Sequence, residues 1–283
     1  MRKKIVLIFF LLILIIYNVT NFYVDAQISQ IKRKDIYNDC HKIWSARGIY
    51  TSKEEQNSIA ALQKAFELGA LGAEFDFYYD TKLDKFIVSH SPPKKDKDGN
   101  LIYLKKNGEL LTLEKLFKAV GDGHYFWLDY KNLDRISSAE TKRSIVRLNE
   151  ISKNNSLKDR LYLEGSNPFR LADYSDAGFK TLFAGRPLPE NNIFATISAN
   201  LFKMAYYFNN LSAITMKYGD KNNPYYGQKA ESALKGVPIF LFHVDDDESL
   251  LKELVKKEDV RVMLAGRDKS LNRFYINNCQ LID

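Results

Sequence analysis

The 283-residue chain contains only two cysteines, two tryptophans, four histidines and seven prolines. Two cysteines exclude a disulfide-dense mini-protein. Seven prolines and fourteen glycines, in a chain that is 45% hydrophobic, exclude collagen-like and disordered polypeptides. Long apolar runs are equally scarce. There is one, Ile5 to Ile16, which excludes a multi-span membrane protein. The formal net charge is +7, yet no nucleic-acid-binding motif accompanies it. Lysine-rich runs such as Lys94–Lys97 and Lys252–Lys257 contain or adjoin acids and read as solvated faces.

The single apolar run lies at the N-terminus, behind Arg2-Lys3-Lys4. Val24-Asp25-Ala26 puts small residues at −3 and −1 of a cut after Ala26, the layout of a signal peptide. The alternative is an uncleaved anchor, with Asn18–Val24 extending the span towards ~20 residues. Either way the folded part is expected to be exported. Residues 1–26 then form the signal or anchor, 27–39 a polar linker or short leading helix, and 40–283 the folded domain. Export would place Cys40 and Cys279 in an oxidising compartment, where a disulfide joining the two ends of the domain is expected. Two unrelated thiols are the alternative.

Within the domain, eight short β-like runs alternate with amphipathic segments. The runs are 42–47, 72–78, 125–131, 160–164, 179–184, 212–217, 237–244 and 260–265. Several are near-continuously apolar, as parallel strands covered by helices are. Between them, Ser58–Leu68, a segment from Thr112, Glu140–Ile151 and Glu248–Lys257 carry helical periodicity. Ile193–Phe208 is an apolar-aromatic helix suited to core packing, with membrane contact as the alternative. Asp245-Asp246-Asp247-Glu248 is expected to cap the helix that follows it. Lys85–His90 reads as a hairpin extension of the second strand, and Lys94–Asn107 as a polar loop turning at Asp98-Gly99-Asn100. Eightfold strand–helix alternation predicts an α/β fold, a single (β/α)8 TIM barrel.

Barrel enzymes carry their reacting groups at the C-terminal ends of strands. Here the first strand ends at Ala46-Arg47-Gly48. The second carries Glu74 and Asp76, two apart and therefore on one face, and the third carries Asp129 and Lys131 in the same relation. Glu74, Asp76 and Asp129 make an all-oxygen set suited to Mg²⁺ or Ca²⁺. Arg47 and Lys131 are suited to phosphate oxygens, and His90, at the end of the hairpin, to proton transfer. Unpaired, such inward charges would cost several kcal/mol, which argues for a functional site. Of the other histidines, His41 and His124 precede their strands and belong at the opposite, lower end. His243 lies near the top of the seventh strand.

Trp44–Gly48, Asn57-Ser58, Gly72–Asp76 and Ile87–His90, followed by Leu111–Glu114 and Leu128–Lys131, resemble in order the glycerophosphodiester phosphodiesterases. These are metal-dependent barrels of the phospholipase-C-like phosphodiesterase type. The resemblance is specific from about Ile43 to Lys131 and architectural beyond. It implies metal ligation by Glu74, Asp76 and Asp129, phosphate binding by Arg47 and Lys131, and acid/base work by His90. It also implies a phosphodiester or phospholipid-derived substrate. Two positions depart from the pattern. The third ligand is Asp129 where Glu is usual, as in the related sphingomyelinase D branch. The first catalytic histidine is replaced by Ala46, leaving His243, a carboxylate or metal-bound water as substitutes for the base. A binding protein that has lost catalysis is the alternative reading.

Overall fold

The computed structural model describes residues 2–31, 35–106, 108–220 and 223–265. The chain begins with α1 (Arg2–Gln30), β1 (Ile43–Ala46), α2 (Ile59–Glu67), β2 (Gly72–Asp80) and β3 (Lys85–Val88). The two-residue strands β4 (Lys94–Lys95) and β5 (Leu101–Ile102) precede α3 (Leu113–Val120), β6 (Tyr125–Tyr130) and α4 (Ser138–Asn154). Then come β7 (Leu161–Gly165), α5 (Pro168–Asp176), β8 (Lys180–Ala184), α6 (Asn192–Phe208) and β9 (Ala213–Lys217). The small pair β10 (Gly219–Asp220) and β11 (Asn223–Pro224) leads to β12 (Ile239–Val244), α7 (Glu248–Lys256) and β13 (Val260–Ala265).

β1, β2, β6, β7, β8, β9, β12 and β13 pair in parallel and close on themselves. β1 joins β13 through Ile43↔Met263 on one side and β2 through Ala46↔Glu74 on the other. This is the (β/α)8 barrel that the strand–helix alternation predicts. β3 pairs antiparallel with the upper part of β2, from Phe77↔Val88 to Asp80↔Lys85, as the expected hairpin. Within the polar loop, Asp96 accepts from the amides of Asp98 and Asn100 at 2.9 and 2.7 Å and fixes the turn.

Alternation along each strand separates two cores. Phe75, Phe77, Phe126, Leu128 and Leu163 face the helices, while Trp44, Trp127, Tyr162 and Phe240 fill the barrel. Gly72 makes room for this filling: a Cβ there would lie 2.4 Å from the Trp44 ring. Helix starts follow the local chemistry. Ser58 caps α2 by accepting from the Ala61 amide, and Asp247 caps α7 by accepting from Leu250 at 2.9 Å, the role expected of that acidic run.

α1 continues unbroken through Ala26 to Gln30, with Val24 and Ile28 buried, so 27–30 are helix, one of the two forms expected of 27–39. Ile36 and Tyr37 are buried as well, and the Tyr37 amide donates to Tyr162 Oη at 2.9 Å beneath the barrel. α6 buries only one stripe, Ala195, Ala199, Lys203 and Tyr206, and leaves Ile193, Phe194, Leu201 and Phe208 exposed. Core packing accounts for half of that helix. Cys40 sits just before β1, and its expected partner Cys279 lies outside the described residues.

Candidate active site

Asp76 is the hub of the upper barrel. It is fully buried and points inward from β2. Arg47 Nε approaches its Oδ2 at 2.9 Å, and Lys131 Nζ approaches its Oδ1 at 2.6 Å. Lys131 also pairs with Asp129. The chain reaches this geometry through a left-handed kink: Arg47 has φ +61° and Asn57 has φ +56°. The Asn57 amide donates to the Arg47 carbonyl at 3.0 Å, which ties the two kinks together. Asn57 Nδ2 then donates to Asp76 Oδ2 at 2.9 Å, and its Oδ1 accepts from the Asp76 amide at 3.1 Å. The side chain thus fixes both the backbone and the carboxylate of Asp76.

Glu74, Asp76 and Asp129 each present an oxygen within 4.8 Å of the others. Burial, followed by the charge of Asp76, raises the Glu74 carboxyl well above its ordinary range. Burial raises Asp129 to about 6, against the opposing pull of Lys131. Carboxylates forced together without enough positive charge hold protons more tightly, and a divalent cation would relieve that repulsion. The donor set therefore fits Mg²⁺ or Ca²⁺, all hard oxygens on a rigid sheet.

Beside Arg47 and Asn57 opens a cavity of about 670 Å³, walled also by Lys53, Ser89, His90, Leu104 and Lys106 and not lined by the three carboxylates or Lys131. Its charged walls are cationic, which suits an anionic ligand. His90 lies at the mouth. Burial lowers its pKa, and Arg47 and Lys131 reinforce this against the opposing pull of Asp76. The missing histidine position, Ala46, packs on the aromatic cluster below. His243 has φ +53° and sits edge-on to Phe242 at 5.2 Å; it is not among the side chains that wall this cavity. His41 pairs with Asp39 at 2.5 Å and His124 stacks on Phe66 at 3.7 Å, both at the lower end as expected.

Asn57 entered the sequence reading only through the resemblance, with no role attached, and Glu164 escaped it. Glu164, on β7, is buried against Asp129's strand, accepting from Trp127 Nε1 at 2.5 Å and Thr215 Oγ1 at 2.7 Å. Burial, then the charge of Asp129, lifts its carboxyl to about 8. Its two-residue offset from the inward-facing Tyr162 was the signal available.

No protein-family model and no curated protein matches this chain. Solved structures do. A glycerophosphodiester phosphodiesterase from Parabacteroides distasonis aligns at 18% identity over 79% of this chain and 92% of its own, with a TM-score of 0.59. The enzyme of the same description from Thermotoga maritima aligns at 18% identity over 79% and 93%, with a TM-score of 0.54. That from Agrobacterium tumefaciens gives 12% identity over 84% and 99%, with a TM-score of 0.52. The chain has the (β/α)8 barrel fold of the glycerophosphodiester phosphodiesterases.

Proposed function

We propose that this protein is an exported, metal-dependent phosphodiester hydrolase acting on glycerophosphodiesters or lysophospholipid-type substrates. The observation that carries the reading is the convergence of Glu74, Asp76 and Asp129 with Arg47 and Lys131, where Arg47 also walls a cationic cavity that His90 borders. Glu74, Asp76 and Asp129 would hold Mg²⁺ or Ca²⁺, which when bound polarises the phosphoryl group as a Lewis acid. Arg47 and Lys131 bind the non-bridging oxygens and oppose the charge that builds on them. Water attacks phosphorus, and a carboxylate of the site, in place of the histidine absent at Ala46, takes its proton as the new P–O bond forms. His90, on the opposite side, protonates the leaving oxygen as the old P–O bond breaks. Residues 1–26 direct export, and Cys40 pairs with Cys279 in the oxidising compartment.

Ala46 also favours a second reading, in which the pocket binds phosphodiesters without cleaving them. Hydrolysis of a glycerophosphodiester and lysophospholipid panel, with metal and with chelator, separates the two. The hydrolase reading requires metal-dependent product and a loss of ~10²–10⁴-fold in His90→Ala. Binding without product would leave only the second.

A further inference from the structure

We infer that α1 is retained as a membrane anchor and that it holds the cavity-bearing end of the barrel against the bilayer, so that the ligand is drawn from phospholipids of that membrane. The lipid-ligand clause rests on the proposed phosphodiesterase reading; the orientation does not.

The first support is how α1 is built into the protein. A cut after Ala26 would fall inside a continuous helix whose Val24 and Ile28 belong to the main hydrophobic core. Asp25 pairs at 2.5 Å with Lys203, whose side chain is only 2% exposed. Removing residues 1–26 would leave that buried ammonium without its counter-charge, a costly state. Asn200 Nδ2 donates to Tyr17 Oη at 3.0 Å, and the Tyr23 and Tyr207 rings meet edge-on at 5.9 Å.

The second support is direction. The pairs Tyr17–Asn200 and Tyr23–Tyr207 advance together, so α1 and α6 run parallel. α6 follows β8 and therefore begins at the C-terminal end of the barrel strands, the end that carries Arg47, Asp76, Asp129 and the cavity. The start of α1 projects past that same end. Its residues Ile5 to Ile16 are each between 46% and 67% exposed, with nothing in the described protein covering them. Twelve residues span ~18 Å, short of the ~30 Å hydrocarbon core. A short span is accommodated by local thinning of the bilayer and snorkelling of flanking basic residues, and because Tyr17 lies beside Asn200 the lipid-covered stretch ends beside the first turns of α6. Asn18, just beyond this stretch, satisfies its side chain on the Leu14 carbonyl at 2.7 Å.

The third support is the rim itself. Ile193 and Phe194 at the start of α6 are 71% and 61% exposed, and Phe169 at the start of α5 is 74% exposed. Ile102 and Leu104 stand exposed in the loop beside the cavity. Lys94, Lys95, Lys97 and Lys105 are exposed in that same loop, where each lysine near an anionic surface adds ~1 kcal/mol of attraction. Arg2-Lys3-Lys4 lies at the far end of the span, as the positive-inside rule requires of a domain held outside.

The test uses the full chain in vesicles of equal parts phosphatidylcholine and phosphatidylglycerol with brominated acyl chains. Trp44 and Trp127 are each 1% exposed, so a tryptophan introduced at the surface reports above a constant background. Phe194→Trp and Phe169→Trp, at the cavity end, are expected to lose emission to the brominated lipid. Phe208→Trp, at the other end of α6 and roughly 24 Å from its start, is expected to lose no more than wild type. All three replace exposed rings, so folding is preserved. Stronger quenching at Phe208→Trp, equal quenching at both ends, or none in vesicle-bound protein would overturn the orientation. An intact mass lacking residues 1–26 in protein isolated from membranes would overturn retention. Neither readout involves turnover, so failure here is distinct from failure of the hydrolase reading.

Discussion

Replacing Asp76 by Asn keeps the side chain's shape and removes its charge at the centre of the site. The carboxylate meets Arg47 Nε at 2.9 Å, Lys131 Nζ at 2.6 Å and Asn57 Nδ2 at 2.9 Å, and is itself fully buried. Hydrogen bonds to charged groups contribute ~1.5–3 kcal/mol each, and breaking a buried ion pair costs ~3–5 kcal/mol. Two effects reduce this. The Arg47 and Lys131 side chains remain 24% and 22% exposed and can partly rehydrate, and Glu74 and Asp129 lose a repelling neighbour. A net loss of about 2–3 kcal/mol follows, which for a chain of this size lowers Tm by roughly 5–10 °C in chelator. Metal adds a second signature. At a hundredfold excess over Kd, Mg²⁺ stabilises wild type by ~2.7 kcal/mol through mass action. Asp76→Asn loses that gain. Scanning calorimetry of both proteins, with EDTA and with Mg²⁺, reads both effects. A variant that melts with wild type in EDTA and still rises with Mg²⁺ would refute the placement of Asp76 at the hub.

Metal affinity should rise with pH. Glu74 is held well above its ordinary range and Asp129 at about 6, so protons must leave before metal enters. Titration calorimetry should find Mg²⁺ binding roughly tenfold or more tighter at pH 8 than at pH 6, and a flat profile would contradict the ligand set. Glu164→Gln tests the other buried acid. With a folded pKa of about 8 against an ordinary value of 4.5, Glu164 stabilises the fold at low pH and loses that contribution as pH rises through this window. The Tm of Glu164→Gln relative to wild type should therefore climb from pH 5 to pH 9, by the equivalent of up to a few kcal/mol, and a constant gap would argue against the raised pKa. Ala46→His should raise glycerophosphodiester hydrolysis about tenfold or more by returning a second imidazole to the site. A fall in rate would mean that the site has been rebuilt around another base, which the new imidazole crowds.

Much of this architecture was legible because it repeats at short range. The apolar runs become barrel strands, and the two-residue spacing of Glu74/Asp76 and Asp129/Lys131 places all four side chains in the barrel interior. Glu164 obeys the same rule relative to Tyr162 and was legible in principle. The role of Asn57 was not, although the resemblance included the residue, because that role depends on a left-handed backbone and a contact across 19 residues. The end of α1 was obscured by its own composition. Small residues around Ala26 look like a cleavage site, and only the distant Lys203 reveals that Asp25 is held in the fold. The two faces of α6 were hidden for a related reason: its mean composition is apolar throughout, and only its contacts with α1, β9 and residues 226–230 decide which stripe is covered. His243 was misleading in the opposite sense. Counting along the strand puts it near the site, while its φ of +53° breaks the alternation on which that count relies.

The most direct test of the account is phosphorus NMR of a glycerophosphodiester incubated with the purified full-length protein. With Mg²⁺ or Ca²⁺ the substrate resonance should decay into a phosphomonoester or cyclic phosphodiester. That conversion should vanish in EDTA and fall by at least about a hundredfold in His90→Ala. An unchanged substrate resonance in metal-loaded, folded protein, with lysophospholipid equally untouched, would contradict it.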